Sequence, residues 1–277
     1  MMSDMTTTSL SAEPAPYTLT PQQIEAYQRD GFISLPHVFE GAELADLRDA
    51  VAGAVAAEVA PPEVMADGRP RPKGAYEQIF TQKVNLWQRH PSVARFVTSK
   101  RLGNLAAQLE GVPMRLWHDQ ALFKEPSTNN NKTPWHQDAP YWPHQQMRHQ
   151  TTIWIALKDA TIVNGCMAFV GGTHKIGPVP AINLSDPQDI FDYAPHIKPV
   201  KPKVVELQAG SATFHNGLTF HYAGPNKSGG VREAFAIIYM PHDTKYNGKG
   251  HMVTDPLGLQ EGQVLDADVF PRVSDLL

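Results

Sequence analysis

The chain has 277 residues, 42% of them hydrophobic, with 24 lysines and arginines against 28 aspartates and glutamates. This near balance of charge argues against a protein that binds nucleic acid or a membrane surface, and the length suits one sizeable domain with its own core. The single cysteine, Cys166, excludes an internal disulfide and fits a reducing cytoplasm. No stretch approaches the roughly 20 consecutive apolar residues that a membrane-spanning helix needs.

Residues 1–17 are rich in Ser, Thr and Pro, a composition typical of a disordered tail. They also lack the basic and apolar regions of a secretion signal. The remaining residues, 18–277, are therefore expected to form a single domain.

The domain is expected to begin with helices. Thr20 is a typical N-cap, Pro21 suits the first helical position and Gln23 completes a capping box, so a helix is predicted over 21–29. Gly31 suits the left-handed residue that ends it. A short strand is expected next, over 32–35, and then a long helix over 40–59. A further helical stretch, in one or two pieces, is expected over 91–110.

A Pro-rich loop over 60–74 interrupts this helical region. Its basic residues are Arg69, Arg71 and Lys73. It is either an ordinary solvated loop or a mobile lid that meets an acidic substrate, because long loops in compact domains often act as lids. A strand that includes Lys83 is expected after it. A long strand over 114–124 comes later, and strand alternation places Gln120 and Lys124 on one of its faces.

The segment 133–143 carries the clearest chemical signal. His136 and Asp138 are two residues apart, and an extended segment would point both side chains to one face. One imidazole and one carboxylate are two thirds of the 2-His-1-carboxylate triad that holds non-haem Fe(II). Because a His-X-Asp pair also occurs by chance, its meaning depends on a third ligand elsewhere. The neighbouring Tyr141 and Trp142 are either pocket walls or ordinary core aromatics.

A strongly apolar strand is expected over 150–157, where Thr152 faces the same way as Trp154 and can donate to a carboxylate. The Asn-Gly pair at 164–165 predicts a β-hairpin, with a return strand after it. His174 follows on a turn, which favours a structural role over metal binding.

A second chemical signal lies near the end of the chain. The segment 223–230 is dense in Gly, Pro, Asn and Ser, which predicts a hairpin loop between two strands. A turn at its centre would set His221 directly opposite Arg232. One face of this hairpin would then offer a third metal ligand beside a guanidinium, which is costly to bury unless it meets an anion such as a dicarboxylate. His215, six residues before His221, is the competing ligand.

Taken in chain order, these motifs resemble the phytanoyl-CoA dioxygenase family of Fe(II)/2-oxoglutarate oxygenases. The matching segments cover most of the chain and are 27–33, 120–126, 135–138, 164–174, and the pair His221 and Arg232. Each match is modest, but five in the right order are specific. The resemblance implies a mainly β fold with flanking α-helices, in which a double-stranded β-helix, or jelly roll, carries the N-terminal helices on the outside of one sheet.

The resemblance implies that His136, Asp138 and His221 bind Fe(II) and that Arg232 binds the 2-oxoglutarate co-substrate. The spacing of eleven residues between His221 and Arg232 favours His221 over His215 as the third ligand. The metal is expected to lie in the mouth between the two sheets.

Further co-substrate contacts implied by the resemblance are Lys83, Trp154 and Gln120, of which Gln120 lies near either the co-substrate or the substrate. Thr152 joins them through the face that it shares with Trp154. A surface lysine and ordinary core packing are the alternatives for Lys83 and Trp154. A serine that this family often places two residues after the distal histidine is Ala223 here. Either another donor replaces it, or 2-oxoglutarate binds more weakly.

The activity implied is a dioxygenase that uses Fe(II), 2-oxoglutarate and O2 to hydroxylate a small or medium-sized metabolite, with formation of succinate and CO2. Desaturation, ring closure and demethylation use the same ligands, whereas the carboxylate of Asp138 argues against halogenation. A cupin-like metal-dependent dioxygenase or isomerase without 2-oxoglutarate, and a non-catalytic jelly-roll binding module, are the alternatives, but neither explains Arg232. Residues 177–202 are expected to cross the barrel mouth, and those after Pro241 either fold back over the site or form contacts in a homodimer.

Overall fold

The computed structural model describes residues 17–58, 77, 79–127, 131–184, 187–198 and 200–275. The predicted disordered tail lies outside these ranges apart from Tyr17, which packs against the hydrophobic core. The Pro-rich loop with its three basic residues lies outside them altogether. Within the described part of the chain, no helix is long and apolar enough to cross a membrane.

Helix α1, Pro21–Asp30, begins and ends as its sequence predicts. The Thr20 hydroxyl accepts from the Gln23 backbone N–H at 3.2 Å, and the Gln23 side chain accepts from the Thr20 N–H at 2.8 Å. Gly31 ends the helix with φ 78° and ψ 4°, in the left-handed region. A Cβ on Gly31 would lie 2.3 Å from Nδ1 of His174, so both conformation and space require glycine.

The other helices are α2 Gly41–Ala57, α3 Leu86–Arg89, α4 Pro91–Val97 and α5 Lys100–Glu110. The helical stretch expected in one or two pieces is therefore two helices. In α5, Leu102, Leu105 and Leu109 recur three and four residues apart and are buried. They join Leu47 and Val51 of α2 and residues of the larger sheet in one hydrophobic cluster, which places the helices on the outer face of that sheet. Short 3-10 helices lie at Ala139–Tyr141, Thr173–Ile176, Ile190–Asp192, Pro195–Ile197 and Asp255–Leu257.

The strands found in the described residues are β1 Phe32–Leu35, β2 Thr81–Val84, β3 Met114–Lys124, β4 Thr133–His136, β5 Thr151–Ala156, β6 Met167–Phe169, β7 Lys203–Val205, β8 Ala212–Asn216, β9 His221–Ala223 and β10 Arg232–Pro241. They form a six-stranded sheet in the order β1-β8-β5-β10-β3-β2 and a four-stranded sheet in the order β4-β9-β6-β7, and all the pairs are antiparallel. A second hydrophobic cluster joins the inner faces, with Trp154 and Ala236 from the larger sheet and Met167 and Phe169 from the smaller. This is the predicted double-stranded β-helix.

The turn at Asn164 and Gly165 does not form the predicted hairpin. Strand β5 before it pairs with β8 and β10 in the larger sheet, whereas β6 after it pairs with β7 and β9 in the smaller. The Asn164 side chain closes a local loop instead, accepting from the Thr161 N–H at 2.7 Å and donating to the Asp159 carbonyl at 2.8 Å. The turn therefore carries the chain from one sheet to the other.

The residues after β10 fold back over their own chain. The Leu116 N–H donates to the Pro271 carbonyl at 3.0 Å, and the Val273 N–H donates to the Met114 carbonyl at 3.1 Å. Gly103 in α5 permits this approach, because a Cβ there would lie 2.0 Å from the Val273 carbonyl oxygen. The segment therefore folds back on its own chain, and its contacts in a homodimer stay a prediction.

Candidate active site

His136 ends β4, His221 begins β9, and the two residues are partners in the antiparallel pairing of these strands. Their ring centroids are 4.1 Å apart. Each Nδ1 lies against a main-chain carbonyl, 2.7 Å from that of Pro134 and 2.9 Å from that of Thr219, respectively. Since a carbonyl only accepts hydrogen bonds, each ring carries its proton on Nδ1 and presents the lone pair of Nε2 to the site.

Asp138 reaches these histidines by a turn and not by the extended segment that was predicted. Strand β4 ends at His136, and Asp138 has the helical angles φ −78° and ψ −48°. The Ala139 N–H donates to the Gly217 carbonyl at 2.9 Å, which helps to fix the turn. Oδ1 of Asp138 lies 3.5 Å from Nε2 of His136 and 3.5 Å from Nε2 of His221. The three candidate ligand atoms all lie within 4.8 Å of one another, an arrangement that can hold a metal ion.

The second oxygen of Asp138 is held by the larger sheet. Oδ2 accepts from the Thr152 hydroxyl at 2.9 Å and lies 3.3 Å from Nε2 of His215. The competing ligand His215 therefore contacts the carboxylate through Oδ2, whereas His136 and His221 lie next to Oδ1. Burial acts to raise the pKa of Asp138, but the neighbouring histidines His221, His136 and His215 outweigh it and hold the pKa well below its usual range. The carboxylate is thus ionised at neutral pH, the form that binds metal.

Arg232 begins β10 in the larger sheet, whereas His221 lies in the smaller sheet. The predicted hairpin that would set the two side by side is therefore wrong. The loop between them is held by Asn226, whose amide nitrogen donates to the carbonyls of Lys124 at 2.7 Å and Gly230 at 2.8 Å. These bonds direct the chain across to the other sheet. His221 and Arg232 nevertheless line the same cavity, from opposite sides.

The Arg232 guanidinium is buried without an anionic partner in the described part of the chain. The residue is 2% exposed, and neither Nε nor Nη1 has a hydrogen-bond partner there. Its Cζ lies 5.0 Å from the centroid of the Trp154 ring, which supports it as a cation–π contact. Burial lowers the pKa of Arg232 to about 10, so the side chain stays charged at neutral pH. A buried cation with unused donors is costly, and it marks a place where an anionic ligand fits.

Lys124 is a second buried cation, and its sequence position gave no reason to assign it a role. It is the pairing partner of Arg232 across β3 and β10 and is fully buried. Its Nζ donates to the Gly224 carbonyl at 2.9 Å and to the Thr133 hydroxyl at 3.3 Å. Burial, together with the nearby Arg232 charge, lowers the pKa of Lys124 to about 6. Arg232, which lines the cavity, therefore has a second basic residue as its neighbour in the sheet.

Three of the other predicted co-substrate residues line the cavity, namely Gln120, Thr152 and Trp154. Thr152 is the donor to the metal-site carboxylate, as already described. Ala223, which stands where the family often has a serine, is the pairing partner of Thr133 across β4 and β9. The Thr133 side chain lines the cavity too, so it supplies a hydroxyl close to the missing one.

Lys83 is the predicted site residue that the structure does not bring to the cavity. It lies in β2 between Gln82 and Val84, both of which line the cavity, so strand alternation turns Lys83 to the opposite face. Gln82 occupies the inward position instead and donates from Nε2 to the Gln120 side-chain oxygen at 2.6 Å. The sequence did not reveal this register, because a four-residue strand offers too few apolar positions to show which face is buried.

The cavity has a volume of about 260 Å³. Its remaining walls include Tyr141 and Trp142, which is one of the two alternatives left open for them, together with His118 and His251, which the sequence gave no reason to select. His174 lies elsewhere, with Nε2 3.2 Å from the Gln28 carbonyl beside the end of α1, in keeping with the structural role expected for it.

Comparison with known proteins places the chain in a family. The model of the phytanoyl-CoA dioxygenase (PhyH) family matches residues 27–234. A phytanoyl-CoA dioxygenase of Arabidopsis thaliana is 28% identical over 170 residues, which are 60% of this chain and 59% of that protein. A methylphosphonate hydroxylase of Gimesia maris is 25% identical over 229 residues, which are 80% of this chain and 81% of that protein.

Two solved structures share the fold over nearly the whole chain. The non-haem α-ketoglutarate-dependent carbocyclase SnoK from nogalamycin biosynthesis has a TM-score of 0.78 and 25% identity, and covers 94% of this chain and 100% of its own. The epimerase SnoN, solved with Fe3+, α-ketoglutarate and nogalamycin RO, has a TM-score of 0.74 and 26% identity, and covers 91% and 97% of the two chains. With the match over residues 27–234, these findings show that the chain belongs to the phytanoyl-CoA dioxygenase family and is an Fe(II)- and 2-oxoglutarate-dependent oxygenase that uses O2.

Proposed function

We propose that His136, Asp138 and His221 bind Fe(II), that Arg232 binds the far carboxylate of 2-oxoglutarate, and that the enzyme oxidises a small organic molecule in the same cavity. The observation that carries this proposal is the buried, unpartnered guanidinium of Arg232, which shares the cavity with the three candidate ligand atoms. A dicarboxylate that reached both groups would satisfy each of them.

The residues fit this cofactor set. Two neutral imidazoles with free Nε2 lone pairs and one ionised carboxylate are the donor set preferred by non-haem Fe(II). Thr152 and His215 hold Oδ2 of Asp138, and this fixes the direction of Oδ1 toward the metal position.

The other end of the co-substrate site is positively charged. Arg232 offers two unused donors to a carboxylate, and the flat ring of Trp154 limits how far the guanidinium can move. Thr133 lines the cavity as the strand partner of Ala223, and its hydroxyl can take the part of the serine that Ala223 replaces.

The bound iron and 2-oxoglutarate supply an O2-derived oxidant for a substrate C–H bond, with succinate and CO2 as by-products. Hydroxylation is the outcome we propose, and the Gimesia maris relative carries that chemistry in its name. Ring closure is the second candidate, because the structure with a TM-score of 0.78 is named a carbocyclase. Desaturation and demethylation need no other residues than these.

The test is an anaerobic titration of Fe(II)-loaded protein with 2-oxoglutarate, followed through the weak visible charge-transfer band of the complex. Wild type should give the band. Arg232→Ala should need about 30-fold more 2-oxoglutarate, because truncating one partner of a buried charge pair costs about 2 kcal/mol or more. Lys83→Ala is the control, because its side chain points away from the cavity and should leave the titration unchanged.

Each other outcome favours a different function. Metal binding without a band in wild type would sink the 2-oxoglutarate assignment and favour a cupin-like enzyme. No metal binding at all would favour a non-catalytic module. A shift in Lys83→Ala equal to that in Arg232→Ala would show that the co-substrate binds elsewhere.

Several broader assignments complete the proposal. The balanced charge and single cysteine support an enzyme of the cytoplasm with a small-molecule substrate and no nucleic-acid or membrane partner. A homodimer remains a prediction. Light scattering on an eluting size-exclusion peak would test it by giving the molar mass of the protein in solution. We also expect one domain over residues 18–277 and a disordered tail over residues 1–17. Limited proteolysis should then remove the tail first.

A further inference from the structure

A β-bulge in β3 shapes the part of the cavity away from Arg232. His118 pairs with Ile238 and Leu116 with Tyr239, which leaves Trp117 as an extra residue without a partner. Leu116 belongs to the core beneath the helices, whereas Trp117 belongs to the core between the sheets. The bulge therefore turns Trp117 and the cavity residue His118 toward the same interior.

His118 is a buried histidine without a use in the metal or co-substrate site. It is 5% exposed, it lines the cavity, and its Nδ1 has no hydrogen-bond partner within the described residues. Burial, with a smaller effect of the nearby His251, lowers the pKa of His118 to about 3, so the ring is neutral. Buried polar atoms without partners are rare in folded proteins, and the ring that carries this one lines the cavity, where a ligand can reach it.

His251 faces the same space from the segment after β10. Its ring lies 6.3 Å from that of His118 at an interplanar angle of 20°, so the two rings are nearly parallel. Its Nδ1 accepts from the Val253 N–H at 3.2 Å, and the proton of the neutral ring is therefore on Nε2. Burial lowers the pKa of His251 as well, which favours that neutral form. The ring thus offers an N–H donor.

The nearest charged groups to His251 are already engaged with main-chain atoms. Asp255 accepts from the His251 backbone N–H at 2.8 Å, and Nζ of Lys249 donates to the Pro140 carbonyl at 3.2 Å. Neither side chain lines the cavity.

The cavity also has apolar and aromatic walls. Phe80, Trp142 and Met252 are among its lining residues, and the Trp142 ring lies 6.4 Å from that of His118 in an edge-on arrangement. Among the described lining residues only Asp138 and Arg232 carry a charge, and both are assigned to the metal and the co-substrate. An anionic substrate would find no counter-charge on these walls.

We propose that His118 and His251 form the binding site for the oxygen of an uncharged, flat and largely apolar substrate, of the class of phenols and hydroxylated aromatic compounds. A hydroxyl can accept from Nε2–H of His251 and donate to His118, while the rings of Phe80 and Trp142 cover the apolar part. This inference rests on the proposed function for the place of the reacting C–H bond. Its binding test does not depend on turnover.

The test uses two probes that share one ring system. 2-Naphthol carries a neutral hydroxyl, and 2-naphthoate carries a charged carboxylate at the same position. Each is titrated calorimetrically into protein loaded anaerobically with Fe(II) and 2-oxoglutarate. 2-Naphthol should bind at least about tenfold more tightly, because the carboxylate is desolvated without a partner. Equal or tighter binding of 2-naphthoate, or no saturable binding of 2-naphthol, would overturn the proposal.

Variants then locate the contact. His118→Phe and His251→Phe keep a flat ring but lose the nitrogens, and each should weaken 2-naphthol binding about tenfold. His242→Phe, the same change at an exposed histidine outside the cavity, should not. Wild-type affinity in both cavity variants would refute the assignment.

The charge-transfer band in the same samples separates the two proposals. A band with no 2-naphthol binding sinks the substrate subsite and leaves the co-substrate assignment standing. Binding of 2-naphthol without a band supports the subsite and sinks the co-substrate assignment. A variant that loses the band through misfolding is set aside, and the other cavity variant decides.

Discussion

Lys124 makes the stability of the enzyme depend on pH in a way that a single substitution should remove. The side chain is fully buried, its Nζ donates to a carbonyl and a hydroxyl, and its pKa is lowered to about 6. In the unfolded chain the same lysine has its ordinary pKa of about 10.4. Between these two values the unfolded state binds one proton more than the folded state.

The sign and size follow from this difference. Stability rises with pH wherever the unfolded state binds more protons, by up to about 1.4 kcal/mol per pH unit for one group. The cost of burying Lys124 is therefore present in full below about pH 6 and is relieved as the pH rises. Between about pH 7 and pH 8.5 the free energy of unfolding should increase by about 2 kcal/mol from this residue alone.

Lys124→Met keeps the length of the side chain and removes the ammonium. Urea unfolding of the metal-free protein without 2-oxoglutarate, at several pH values in this range, should show that the increase of about 2 kcal/mol is lost in the variant. Lys227→Met, a change at an exposed lysine, should behave like wild type. Parallel pH dependence in wild type and Lys124→Met would refute the reasoning, since it would mean that Lys124 stays charged in the fold.

Three further results are expected. Binding of 2-oxoglutarate should favour the charged form of Lys124, so calorimetry in two buffers of different ionisation enthalpy should detect proton uptake near neutral pH in wild type and none in Lys124→Met. Thr152→Val removes a donor to the carboxylate of Asp138 and should weaken Fe(II) binding about 10- to 100-fold in a metal titration, while Thr152→Ser should not. Gly31→Ala should lower the free energy of unfolding by about 1–3 kcal/mol, because φ is 78° and the new Cβ clashes. Gly53→Ala, in the open interior of α2, should raise it by about 0.5–1 kcal/mol, and the opposite order would contradict this account of both sites.

Local signals in the sequence predicted local structure well. The capping box at Thr20 and Gln23 and the terminal Gly31 fix both ends of α1, because each acts on backbone groups within a few residues. The long strand over 114–124 is found with the bounds expected for it. Residue types also selected the candidate metal ligands, because few arrangements explain a His-X-Asp pair and a distal histidine together.

Relations between distant segments were not readable in the same way. The loops at 164–165 and 223–230 have hairpin composition, but each connects the two sheets, since turn residues determine a change of direction and not the next pairing partner. The bulge at Trp117 changes which side chains face inward, and the order of apolar and polar residues around it does not predict a bulge. Lys124 was placed on the strand face of Gln120 but given no role for a related reason, because its burial beside Arg232 arises only when β3 and β10 pair.

The division of the site between the two sheets has a consequence for the stability and the abundance of the enzyme. His136 and His221 belong to the smaller sheet and Arg232 to the larger, so a co-substrate held at both ends in the way proposed above would connect the two sheets. Anything that binds only the folded state stabilises it in proportion to the logarithm of its concentration. When cellular 2-oxoglutarate falls, the folded state would then lose part of this stabilisation. The abundance of the enzyme would then follow the supply of its co-substrate through proteolysis of the opened chain, without any dedicated regulator.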